Sequence, residues 1–127
     1  MKTVETVLLY NFENKEALRK IKAILIQMGI RVKTANHQDL SESVGYLIGM
    51  KEIPSTGESY EGEPMERELL VMNGFTNNRL NAFLAQMKKR GVPQIPYKAM
   101  ITATNQSWPL KQLYIEIEKE HKEMNGL

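Results

Sequence analysis

The chain has 127 residues, 42% hydrophobic and 25% charged, with a formal net charge of +2; this composition belongs to an ordinary globular domain and excludes collagen-like, low-complexity and disordered chains. With no cysteine and only His37 and His121, it offers no disulfide, no thiol nucleophile, no thiolate metal site and too little imidazole for a zinc cluster. One domain over 1–127 is expected, large enough to bury roughly two thirds of its unfolded surface without staples.

Glu5 interrupts the approach to the first apolar run and Asn11 ends it, so no secretory core is legible. No window nears the roughly 18 apolar residues of a bilayer span. A cytoplasmic location without membrane contact is the expectation.

Val4 to Tyr10, holding the unbroken run Val7, Leu8, Leu9, Tyr10, predicts a buried strand. Asn14 then caps a helix whose apolar positions Leu18, Ile21, Ile24, Leu25 and Met28 recur every three or four residues, and Gly29 stops it. Arg31 to Ala35 reads as an edge strand, with Val32 inward and Arg31 and Lys33 outward. Asp39 and Glu42 have capping-box spacing and predict a short helix carrying Val44, Leu47 and Ile48. Residues 51–64 lack periodicity and form a long acidic surface loop, a kind of segment uncommon unless functional or mobile. Glu68 to Met72 is a second buried strand; Thr76 caps a helix with Leu80, Phe83, Leu84 and Met87 on one stripe, closed by Gly91. Tyr97 to Ala103 is the fourth strand. Ser107 caps a last helix through Leu110, Leu113, Tyr114 and Ile117, beyond which the charged pattern predicts an end that frays or projects.

Laid over one another at an offset of 62, the halves (about 4–50 and 66–117) match Leu8 with Leu70, Leu18 with Leu80, Ile21 with Phe83, Leu25 with Met87 and Gly29 with Gly91. Each half is strand, helix, strand, helix, which suggests an internal duplication. Two α/β folds satisfy this order. One is a three-layer parallel sheet of order 2-1-3-4; the other is a ferredoxin-like α+β sandwich of order 4-1-3-2. The unbroken runs Val7 to Tyr10 and Leu69 to Met72 favour the parallel sheet, covered on both faces.

Leu8-Leu9-Tyr10-Asn11-Phe12, Gly45-Tyr46-Leu47-Ile48-Gly49, Tyr60-Glu61-Gly62-Glu63, Leu70-Val71-Met72-Asn73-Gly74-Phe75, Lys98-Ala99-Met100-Ile101-Thr102, and Asn105 with Trp108 together resemble an uncharacterised bacterial family, the domain of unknown function 3783. Ala103 stands where the family pattern leads one to expect a proline. The resemblance implies no activity and assigns no site residue.

The charge is unevenly spread. Leu69 to Ile115 contains no Asp or Glu, while Arg79, Lys88, Lys89, Arg90, Lys98 and Lys111 make it +6. Lys15 to Lys33 is +5, with Glu16 the lone acid among Lys15, Arg19, Lys20, Lys22, Arg31 and Lys33. Lys51 to Glu68 is −4 and has Met50, Tyr60 and Met65 as apolar anchors, so it is a candidate cover for the basic surface Arg79, Lys88, Lys89, Arg90 and Lys98. In the parallel topology Asn11, Phe12, Asn73, Phe75, Thr76, Thr104 and Asn105 follow strand carboxyl ends and line one crevice, the default place for a small ligand. No GxGxxG or P-loop pattern exists to indicate a nucleotide. Glu58, Glu61 and Glu63 match no calcium loop, and His37 with Asp39 has no nucleophile at diagnostic spacing. No metal, cofactor or catalytic residue is predicted. A binding module for a protein or polyanion ranks first, a small-ligand regulatory domain second and an enzyme last, since the strand ends supply asparagines, threonines and tyrosines rather than a titratable pair.

Overall fold

The computed structural model describes residues 5–124; Val4 and both ends of the expected 1–127 domain lie outside them. Four strands form one sheet of order β2-β1-β3-β4, as the sequence predicts: β1 (Thr6–Tyr10), β2 (Arg31–Ala35), β3 (Leu69–Asn73) and β4 (Tyr97–Met100). β1 and β3 are central and buried throughout except at Asn73, while β2 alternates as an edge strand does.

Strand direction is the correction. β1 pairs parallel with β2 and β3 pairs parallel with β4, but β1 and β3 run antiparallel, with Thr6 opposite Asn73 and Tyr10 opposite Leu69. The sheet is mixed, neither all-parallel nor ferredoxin-like. Unbroken apolar runs report burial on both faces, which a central strand needs whatever its neighbour's direction. Direction is set by the connection. After α2 (Val44–Leu47) the chain reaches Ile53, which lines a pocket with Thr6 and Arg31 at the start of β1 and β2. The segment to Glu68 then recrosses the sheet, so that Met65 and Glu66 meet Asn11 beyond the other end of β1, and β3 starts from there.

Alternation along the central strands feeds two cores. Val7, Leu9, Leu70 and Met72 face α1 (Lys15–Gln27) and α3 (Asn77–Lys89), meeting Ile21, Ile24, Leu25, Phe83 and Met87. Leu8, Tyr10, Leu69 and Val71 face the opposite layer, meeting Leu40, Val44, Leu110, Leu113 and Tyr114 of a 3-10 turn (His37–Ser41), α2 and α4 (Leu110–Met124).

α1 and α3 are each 13 residues long and are built by the same bonds 62 positions apart. Asn14 and Thr76 accept from the backbone N–H groups of Ala17 and Arg79. Beyond the last turns, Gly29 and Gly91 take φ +73° and +75°, the left-handed conformation that lets the N–H groups of Ile30 and Val92 return to Leu25 and Met87. On the other face the halves meet across an exchanged pair of backbone bonds, Val44 to Trp108 and Leu110 to Glu42, both 2.9 Å.

Several boundaries move. The capping box is Asn36 with Asp39, opening the 3-10 turn, and α2 follows separately from Ser43. Glu42 instead accepts from Ser55 and Thr56. β4 ends at Met100, because Asn105 draws the chain into a turn by accepting from Thr102 N–H and donating to the Met100 carbonyl. Ser107 closes a 3-10 turn rather than capping α4, and beyond Ile117 α4 continues to Met124 with mostly exposed residues, projecting rather than fraying.

Candidate functional site

The antiparallel centre divides the expected single crevice. Asn11 and Phe12 follow β1 at one end of the sheet; Asn73, Phe75, Thr76, Thr104 and Asn105 follow β3 and β4 at the other. At the first end a pocket of about 570 Å³ is lined by Leu9, Asn11, Phe12, Thr34, Asn36 and His37 among others. It lies beyond the carboxyl ends of two parallel strands whose continuations pass to opposite faces of the sheet, the switch-point position of α/β folds. Asn11 holds φ +64° there, and its Nδ2 donates to the Met65 and Glu66 carbonyls at 3.3 and 2.8 Å. Its amide therefore ties down the acidic segment. His37 Nδ1 is buried without a hydrogen-bond partner, and the ring sits edge-on to Tyr60 at 5.3 Å. Asp39 faces the Asn36 N–H rather than His37 in its capping role.

At the second end three of the predicted residues have a structural occupation. Thr76 caps α3, Phe75 packs 6.0 Å from Phe83, and Asn105 is bonded at both ends of its amide. Asn73 lines a separate pocket with Thr6 and Arg31; Thr104 is exposed. Sequence reasoning missed His37 as a pocket-lining group. Its position two residues past β2 is the available signal.

The acidic segment is ordered, and it lies on the α2/α4 side. Tyr60 N–H donates to the Gln38 carbonyl, Tyr10 Oη donates to the Met65 carbonyl, and Arg67 N–H donates to Tyr114 Oη. Lys111 Nζ stands 5.6 Å from the Tyr60 ring centre. Met50, Tyr60 and Met65 are anchors as expected, but on the core opposite to α1 and α3. The segment does not cover Arg79, Lys88, Lys89, Arg90 or Lys98. Hydrogen bonds from Ser55 and Thr56 outweigh partial desolvation and hold the Glu42 carboxyl below its ordinary pKa.

Charge is thereby sorted by layer. In residues 15–27 and 77–90, Lys15, Arg19, Lys20, Lys22, Arg79, Lys88, Lys89 and Arg90 stand against Glu16 alone, a net +7. In residues 36–68 and 105–124, Asp39, Glu42, Glu52, Glu58, Glu61, Glu63, Glu66, Glu68, Glu116, Glu118, Glu120 and Glu123 stand against Lys51, Arg67, Lys111, Lys119 and Lys122, a net −7. Arg79 is the structural member of the basic set. Its Nη2 and Nε clasp Glu5, with the shortest contact at 2.6 Å, and Nη2 also reaches the Met28 carbonyl. The bond from Arg79 holds the Glu5 carboxyl below its ordinary pKa. Lys15, Arg19, Lys22, Lys88 and Lys89 make no ion pair among the described residues. Lys98 points to the same layer, half-buried, its Nζ donating to the Ile95 carbonyl at 2.5 Å, and burial lowers its pKa.

Residues 68–124, which are β3, α3, β4 and α4, match the family model of a domain of unknown function, DUF3783. The second half carries the resemblance. The DUF3783 match takes in Lys88, Lys89, Arg90 and Lys98, and leaves the pocket at Asn11 and His37 outside it. No curated protein and no solved structure matches the chain. Among the described residues, no cluster of three or more His, Cys, Asp or Glu is placed to hold a metal ion, and no helix is long and apolar enough to cross a membrane.

Proposed function

We propose that this chain is a binding module that takes a polyanion on its α1/α3 layer. The observation carrying this reading is the +7 layer itself, left open because the acidic segment is anchored on the far side of the sheet. A dense cationic surface raises the local concentration of anions and steers their approach. Phe83 is buried and Phe75 half-buried, so the layer offers no exposed aromatic ring for base stacking. Recognition is therefore electrostatic and indifferent to sequence, with nucleic acid as one such partner. A cytoplasmic setting and an origin of the two halves by duplication belong to this reading, the latter supported by cap and terminus bonds recurring 62 residues apart.

The test is binding to heparin and to single-stranded oligonucleotides over a salt series. If about five of the free cations engage, log affinity falls against log salt with a slope of roughly −3 to −4. Changing Lys88, Lys89 and Arg90 together to Gln reduces that slope by about 2. Absence of binding at low salt, or an unchanged slope in the triple variant, refutes the reading.

A second reading, a small-ligand regulatory domain, is favoured by the pocket at the carboxyl ends of β1 and β2, with Asn11, Phe12 and His37 in its wall. Its ligand binds with little salt dependence, and His37→Phe, which fills the space beside Tyr60, weakens it.

A further inference from the structure

The outer edge of the basic layer, between the C-terminal half of α3 and edge strand β4, holds a pocket of about 410 Å³. Its lining is mostly apolar, with Leu84, Met87, Val92, Pro93 and Ile95, and Gln94 among them. Two lysines line it as well, the exposed Lys88 and the half-buried Lys98. Lys98 is the unusual one. It lies opposite Leu70 in the sheet, on the face lined by apolar side chains, and its ammonium is half stripped of water with a single backbone carbonyl as partner. An ammonium desolvated in this way binds an incoming anion more strongly than an exposed lysine does.

We propose that this pocket binds an alkyl chain ending in a single carboxylate, a medium-chain fatty acid. The chain length follows from the volume, which is at the small end of ligand pockets, and the wall has the usual make-up of such sites, mostly apolar with a few convergent polar groups. The headgroup follows from charge complementarity. The lining of this pocket contains no Asp or Glu, so a carboxylate beside Lys88 and Lys98 meets no acidic side chain in the wall. The wall has no aromatic ring for a planar ligand. A peptide is disfavoured because Pro93 and Pro96 lack an N–H, and the Val92 N–H is already given to Met87. This site borders the polyanion surface and shares Lys88 with it, but it binds differently, since one head and one buried tail replace many exposed contacts.

Decanoate, decanol and heparin, titrated at low and high salt, decide it. Decanoate is expected to bind in both salts, because a partly buried ion pair is screened little, and decanol about tenfold more weakly, the size of a charge-assisted hydrogen bond. Lys98→Gln lowers decanoate affinity about tenfold and leaves decanol unmoved; Leu84→Trp, which fills the mouth, removes both alkyl ligands and keeps heparin retention. If Lys98→Gln does not fold, methyl chemical-shift changes in the natural chain, confined to Leu84, Met87, Val92 and Ile95, serve as the readout. Absence of decanoate binding, equal affinity for decanol, full affinity in a folded Lys98→Gln variant, or shift changes elsewhere overturns the proposal. Loss of heparin binding with decanoate binding intact refutes the polyanion reading alone.

Discussion

Leu70→Ala is the perturbation that most directly tests how the halves are joined. Leu70 lies opposite Leu9 across the central antiparallel pair and is fully buried in a core that draws Ile21, Ile24 and Leu25 from one half and Phe83 and Met87 from the other. Truncation removes roughly 2 to 3 kcal/mol of transfer free energy and leaves a cavity. Two flanking strands and two overlying helices restrict collapse around it, so the expected loss is in the upper part of the usual range, about 3 to 5 kcal/mol. Against a typical stability of about 5 to 15 kcal/mol this is a large fraction. Urea unfolding followed by fluorescence and circular dichroism should show one coincident transition, displaced by roughly 1.5 to 2.5 M at an m-value near 2 kcal/mol/M. Val32→Ala on the half-buried edge strand β2 is the control and should cost only about 1 kcal/mol. A Leu70→Ala loss below about 1 kcal/mol, or separate transitions for the two halves, refutes the shared core.

Glu5→Gln removes the carboxylate clasped by Arg79 and should lower Tm by a few degrees at neutral pH. Because the Glu5 pKa is lowered in the folded chain, its contribution is complete above the ordinary carboxyl value of about 4.5 and is lost as pH falls through the lower folded value. The Tm difference between natural chain and variant should therefore close in acid, and a constant difference down to pH 2 refutes the assignment. Neutralising Glu58, Glu61 and Glu63 to Gln should change the salt slope of heparin retention by less than about one, since the segment is anchored on the opposite layer. A clear steepening would show that it screens the basic helices.

The two central strands, both long-helix caps and both glycine stops were legible because each is a local consequence of residue type; strand order was narrowed only to 2-1-3-4, the favoured one, or 4-1-3-2. Asn14 and Thr76 accept backbone bonds wherever a helix starts, and Gly29 and Gly91 permit the positive φ that ends one. Strand direction was hidden in apolar runs that fit either orientation. The clue was length. A connection between a helix and a parallel strand usually takes 2 to 6 residues, whereas the chain from α2 to β3 is several times longer and recrosses the sheet. The expected common crevice failed with the direction, and the Asn105 amide proved to be engaged in a turn. In the sequence His37 has Asp39 for a neighbour, but in the fold its surroundings are set by Tyr60, 23 positions further along.

The reversal of β3 also determines where the charge goes. Strand–helix–strand crossovers between parallel strands are right-handed in nearly all proteins. In an all-parallel sheet of order 2-1-3-4, the first crossover moves outward in one direction and the second in the other, so handedness would put α1 and α3 on opposite faces. The basic residues would then be split between layers. With β3 and β4 inverted, the same handedness brings α1 and α3 to one face, which is where they pack. The acidic segment, by recrossing the sheet against the other face, both inverts β3 and carries its glutamates away from the basic helices. A chain of net charge +2 thus acquires layers of +7 and −7 through one connection. Its electrostatic character follows from topology more than from composition, and a shortened connection that forced β3 parallel would be expected to abolish polyanion binding without changing a single lysine or arginine.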